Sequence, residues 1–180
     1  VRHVKDNPYV YGLDLTSSTF IKKAYFDKFK LFTSFDVCVL DIEKEIVGEQ
    51  RVQVISISMK DKTYTTILDK WLKDTPENRD KIARAYKKYI PEVDYMEKIV
   101  DTTDFFGSEI EMVEAIFKKL HQWKPDFLEV WNITYDLTHI LNIIEKAGKR
   151  PENIFSDPSV PEKYRYFKFK KGKTSRLTEK

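Results

Sequence analysis

Val37-Cys38-Val39-Leu40-Asp41-Ile42-Glu43 is an apolar run that closes on two carboxylates. Its β-branched and bulky residues suit a strand, and a strand alternates its side chains with a period of two. Asp41 and Glu43 therefore share a face with Val37 and Val39, and that face is expected to be largely buried. Two like charges roughly 4 Å apart at an effective dielectric of about 20 repel by about 4 kcal/mol, before desolvation is counted. A cation is expected beside them. Short acidic spacings arise by chance in a chain that is 34% charged, as Glu43-Lys44-Glu45 and Glu109-Ile110-Glu111 do. A second acidic element, Asn132-Ile133-Thr134-Tyr135-Asp136, stands where another apolar run meets a helix, and it gives the first cluster a partner.

Working outward, strands are predicted at 35–43, 51–59 and 63–68, with Gly48 and Asp61-Lys62 marking the turns, so the three should form an antiparallel meander. Upstream, residues 1–33 mix turn signals with the short aromatic stretches Tyr9 to Tyr11 and Tyr25 to Phe32, the pattern of an extended arm with short strands. Downstream, a helix at 78–90 should present Ile82, Tyr86, Tyr89 and Ile90 on one side, and residues 92–106 read as irregular or strand-like. Ser108-Glu109-Ile110-Glu111 has the capping-box spacing of a helix start, and that helix should run to Trp123 with Ile110, Val113, Ile116, Phe117 and Leu120 as its core stripe. A strand follows at 127–131. A last helix from residue 135, closed by Gly148, holds Asp136 in its first turn. The order implies an α/β fold, a mixed sheet flanked by helices, whose strand ends and helix starts converge on one crevice. Hard carboxylate oxygens gathered there suit Mg²⁺ or Mn²⁺, and two such ions stabilise both the attacking and the leaving oxygen of a phosphoryl displacement.

With 180 residues, 41% of them apolar and 14% aromatic, the chain can bury one sizeable core. No run approaches the roughly 18 apolar residues of a membrane span, and no signal peptide is visible, so the chain reads as soluble and cytoplasmic, with no membrane partner. Cys38, the single cysteine, excludes an internal disulfide and a thiolate zinc site and reads as a small buried hydrophobe. The net charge of +3 is unevenly spread: residues 163–180 carry eight Lys or Arg against Glu179. Lys168, Lys170, Lys171, Lys173 and Arg176, interleaved with Tyr164, Tyr166, Phe167 and Phe169, combine phosphate attraction with stacking surface, as contact with a nucleic-acid strand requires. The bland alternative is a solvated tail. His3, His121 and His139 show no ligand spacing, and Trp71, Trp123 and Trp131 read as core or edge packing.

Leu40-Asp41-Ile42-Glu43, and the string Pro125-Asp126-Phe-Leu-Glu-Val-Trp131-Asn132-Ile-Thr-Tyr135-Asp136, resemble the first and second exonuclease motifs of the proofreading 3′ to 5′ exonuclease domain of family B DNA polymerases of tailed-phage type. Phe105-Phe-Gly-Ser-Glu-Ile-Glu-Met112 is similar to the turn and helix start before the second motif. Pro8-Tyr-Val-Tyr-Gly12 is similar to the family's N-terminal arm. The resemblance implies a ribonuclease H-like fold at 34–150, an arm at 1–33, and a possible β-hairpin in the basic and aromatic segment at 151–180. It also implies that Asp41, Glu43 and Asp136 ligate two Mg²⁺ or Mn²⁺ ions, while Asn132 and Tyr135 position a single-stranded or frayed 3′ end for release of nucleoside monophosphates. The implied partners are primer-template DNA and the remainder of a polymerase chain, in a host cell's cytoplasm if a phage encodes it.

Three positions depart from the family pattern. Lys44 follows Glu43 where a small residue is commoner, and Val130 precedes Trp131 where Gly is commoner. The third motif, Tyr or His shortly before a last metal-binding Asp, is not found after Asp136, and the fold's final helix goes with it. The chain also begins at Val1 and stops inside its charged segment, so it is expected to be a piece of a larger protein, incomplete at its C-terminus and weakly active or inactive alone. Two other readings stay open: a nucleic-acid-binding module with a degenerate nuclease fold, and a scaffold domain whose carboxylates only pair with its lysines.

Overall fold

A computed structural model of the chain describes residues 17–29, 35–89 and 99–169, and the chain divides into two units, Val1–Ser34 and Phe35–Lys180. In the first unit the described residues form one helix, α1 (Ser17–Phe29), where the sequence suggested an extended arm with short strands. Helix formers offset the aromatics there: Lys22, Lys23, Ala24 and Lys28 follow Ile21 with no β-branched residue among them, and Lys23 pairs with Asp27 one turn on at 2.8 Å. The Tyr9 to Tyr11 stretch and residues 30–34 lie outside the described residues.

The second unit is built on the expected meander. β1 (Val37–Lys44), β2 (Val52–Met59) and β3 (Lys62–Leu68) run antiparallel, with Asp41 opposite Ser56 and Ile57 opposite Tyr64. β4 (Val100–Phe106) adds in parallel to β3, and β5 (Phe127–Val130) adds in parallel to β1, so the five-stranded mixed sheet has the order β4-β3-β2-β1-β5. The helices are α2 (Pro76–Tyr89), α3 (Glu109–Trp123), α4 (Ile133–Lys146) and the short α5 (Pro151–Phe155), followed by a 3-10 turn at Glu162–Tyr164. The architecture is therefore α/β, a mixed sheet flanked by helices. No described helix is long and apolar enough to cross a membrane. Residues 151–169 hold α5 and the turn, with Phe167 edge-on to Phe155 at 4.6 Å; residues 170–180 lie outside the described residues.

Local chemistry sets the helix ends. Thr75 caps α2 by accepting the Asn78 N–H at 3.2 Å, and Pro76, which has no N–H to lose, takes the first helical position, two residues earlier than the apolar pattern suggested. No residue of α2 is fully buried, and Tyr89 is exposed rather than part of a packed stripe. At α3 the expected capping box does not close. The Ser108 hydroxyl donates to the Glu111 carboxylate at 2.8 Å instead of accepting a backbone N–H, because an ionised carboxylate only accepts and draws the hydroxyl proton to itself. Gly148 ends α4 at φ +68, a left-handed conformation that a side chain would strain.

The core lies between the sheet and the helices α3 and α4. Leu40, Ile55, Ile57, Met112, Ile116, Ile140 and Ile144 are 1% exposed or less. This reverses the expected burial of β1. Cys38, Leu40 and Ile42 face the helices, whereas Val37 and Glu43 are exposed and Val39 and Asp41 only half-buried. The alternation was right and the buried side wrong, because both long core helices pack on the even-numbered face; the odd-numbered face is met by α2, through the Tyr86 and Thr65 hydroxyls 3.2 Å apart. Cys38 is fully buried, as read from the sequence, and burial pushes its thiol up to about 11. Leu40→Ala is accordingly expected to cost about 2–5 kcal/mol in urea unfolding, and Val37→Ala less than about 1 kcal/mol. The opposite order would show that the two faces have been exchanged.

Candidate functional site

The site forms where β5 hands over to α4. The parallel ladder between β1 and β5 pairs Leu40 with Val130, and the Trp131 N–H reaches the Leu40 carbonyl at 3.3 Å. The chain therefore leaves the sheet level with Asp41. Asn132 caps α4 there, its side-chain oxygen accepting the Tyr135 N–H at 3.3 Å, and Asp136 Oδ2 accepts the Asn132 N–H at 3.0 Å. This reciprocal pair satisfies two free amides of the helix start and places a carboxylate at its positive end. It also engages the side chain of Asn132, a residue expected to position a strand end.

Asp136 is 3% exposed, the single carboxylate among the buried residues described. Burial first, and then the charge of Asp41, hold its carboxyl above the ordinary carboxylate range, while the Asn132 hydrogen bond and His139 pull the other way. The structure thus brings Asp41 and Asp136 within electrostatic reach of each other. Glu43, opposite Val54 on β2, is exposed, and among the described residues no three His, Cys, Asp or Glu side chains gather as a group able to hold one metal ion. The donor chemistry nonetheless fits a divalent cation: hard oxygens, one of them buried, with one Asp136 oxygen engaged by the protein and like charge close by.

Two residues at this place were not read as parts of the site, although Lys44 stood out beside Glu43 as a departure from the family pattern. Lys44 continues the Cys38, Leu40 and Ile42 face, after a register slip that sets it opposite Val52, so its side chain leaves toward α4. Its amine lies 3.3 Å from His139 Nε2, 3.2 Å from Gln50 Oε1 and 4.9 Å over the Tyr135 ring. An ammonium only donates, so the contact with His139 requires an unprotonated Nε2. Burial and the Lys44 charge both push the imidazole below its ordinary 6.5. His139 stands three residues after Asp136 and four after Tyr135, whose ring it meets edge-on at 4.4 Å; that helical spacing was the available signal. The other correction concerns tryptophan: Trp131 is 84% exposed and Trp71 is exposed too, whereas Trp123 packs against the core beneath Lys62. Trp131, Ile133 and Tyr135 together give the corner an exposed apolar and aromatic surface. Of the basic residues singled out, Lys168 is exposed, and Lys170, Lys171, Lys173 and Arg176 lie outside the described residues. Comparison of the chain with protein-family models and with curated proteins finds no match.

Two titrations check this geometry. Because the folded state raises the Asp136 pKa, its charge costs stability at neutral pH, and the cost is relieved as pH falls through the raised value. Asp136→Asn, which can still accept the Asn132 N–H, is expected to stabilise the metal-free protein by roughly 0.5–2 kcal/mol at pH 7, a gain that shrinks in acid. His139 has the opposite sign: its contribution is present above pH 6.5 and lost as pH falls below it. His139→Gln should flatten that part of the stability curve, and an unchanged slope would remove the imidazole from its assigned surroundings.

Proposed function

We propose that the chain carries the metal-binding part of a 3′ to 5′ exonuclease with a ribonuclease H-like fold, the proofreading domain of a DNA polymerase. The observation that carries this reading is the buried Asp136 carboxylate at a helix start, level with Asp41 on the neighbouring parallel strand. The strand order is compatible with it: the antiparallel meander read from the sequence carries a further strand parallel to its first, in a mixed sheet flanked by helices. In this reading Asp41 and Asp136, with Glu43 two residues on, would hold Mg²⁺ or Mn²⁺, which when bound supplies the charge stabilisation and the activated water for hydrolysis of a terminal phosphodiester.

The chain's own residues do the rest. Asn132 fixes the start of α4 and so the height of Asp136. Trp131 and Tyr135 offer ring faces to the unpaired bases of a 3′ end, and such stacking is tolerant of sequence, as proofreading demands. The basic residues from Lys168 onward would draw the strand's phosphates. The remaining partners are primer-template DNA and the rest of a polymerase chain.

Lys44 favours a second reading, a nucleic-acid-binding module whose nuclease site has degenerated, since its ammonium stands where the family pattern has a small residue. A 3′-labelled single-stranded oligonucleotide separates the two. The exonuclease reading expects slow, Mn²⁺-dependent release of mononucleotides from the 3′ end, lowered at least about 100-fold by Asp41→Asn or Asp136→Asn. Binding that falls steeply with salt but ignores both metal and these substitutions would favour the module.

A further inference from the structure

Beyond Asp136 the same helix face borders a polar cleft of about 490 Å³, lined by Gln50 and Arg51 from the β1–β2 connection, Glu109 from the start of α3, and His139, Asn142 and Lys146 from α4. Both of its acids are held by the protein, although Glu109 keeps its charge. Glu109 accepts the Val52 N–H at 2.7 Å, and Glu49 pairs with Arg51. Its ammonium groups have no anionic partner among the described residues. Lys44, at the rim of the cleft through Gln50 and His139, meets only neutral acceptors and the Tyr135 ring, and among the described residues neither Lys44 nor Lys146 forms an ion pair. A half-buried ammonium without an anion is an electrostatic deficit that a ligand can fill.

We propose that this cleft is a phosphate subsite that takes the backbone of a single nucleic-acid strand whose end lies at Asp136, with Lys44 and Lys146 as its cations and Asn142 and Gln50 as neutral donors. The assignment rests on the exonuclease reading for the identity of the strand. Geometry favours a chain of phosphates over one free anion: at 1.5 Å per residue, His139, Asn142 and Lys146 stand about 4.5, 9 and 15 Å beyond Asp136 along the helix axis, so the donors form a track leading away from the carboxylates. Lys44 then has a positioning role. It ties the track to the Tyr135 ring, so that a strand held by its phosphates presents its terminal base to that aromatic.

Anisotropy of a labelled oligothymidylate of about 12 nucleotides, titrated with the full chain in EDTA over a series of salt concentrations, tests the subsite. On single-stranded DNA, neutralising one phosphate fewer lowers the slope of log affinity against log salt by about 0.7. Lys44→Gln and Lys146→Gln are each expected to lower it by that amount and to weaken binding about 3–10-fold at low salt, and Lys87→Gln, an equal charge change on α2, to leave the slope unchanged. Lys146 is exposed, so its variant stays folded whatever happens at Lys44. Slopes unchanged in both cleft variants, or lowered equally by Lys87→Gln, overturn the subsite. Failure of the exonuclease reading looks different: both slopes still fall, which supports the subsite, while Mn²⁺ releases no 3′ mononucleotide from the wild type.

Discussion

β1 is shared between two ladders, and that constraint organises the second unit. On one side it pairs antiparallel with β2, and on the other parallel with β5, ending at the Trp131 to Leu40 hydrogen bond. β5 ends level with Leu40, four residues before β1 does, so α4 starts beside Asp41. The core obeys the same constraint, because Ile140 and Ile144 on α4 can reach Leu40 and Ile57 only if the helix folds back over the even-numbered face. Helix start, carboxylate pair and core packing are therefore one decision, made by the register of four strand residues.

That decision has an electrostatic consequence. A carboxylate that also serves the helix cap is buried next to another carboxylate, and the protein meets the cost in two ways. One is the helix N-terminus, whose free amides and dipole offset part of the charge. The other is a cation, for which there are two candidates: a divalent metal on the carboxylates, and the tethered ammonium of Lys44. The ammonium reaches His139, Gln50 and the Tyr135 ring without pairing with either aspartate, so it does not neutralise them. A pair of carboxylates kept in this state is a local conflict of the kind that functional sites retain at the expense of stability.

Much of this was legible in the residues. The meander followed from three apolar runs separated by Gly48 and Asp61-Lys62, and the core stripe of α3 followed from its helical spacing. Asp136 was placed in the first turn of a helix read to start at residue 135, and the cap at Asn132 that sets that start was not read. What the sequence could not supply was the side of the sheet on which the helices pack. Period two puts Asp41 and Glu43 on one face but does not say which face is covered, and the shared choice of α3 and α4 decided that. Trp131 misled for a related reason, since a tryptophan after an apolar strand reads as core until an edge strand is seen to end beside it. The contact between Lys44 and His139 was illegible because the two residues meet across 95 positions of sequence.

The most direct measurement is an anomalous difference map from crystals of the protein soaked in Mn²⁺. The expected result is a peak bound by oxygens of both Asp41 and Asp136 at about 2.2 Å, with the Lys44 amine still against His139. A map with no manganese at these carboxylates, or with the Lys44 ammonium moved into an ion pair with Asp136, would contradict the claim that the two aspartates are held apart from the protein's own cations in order to share a metal.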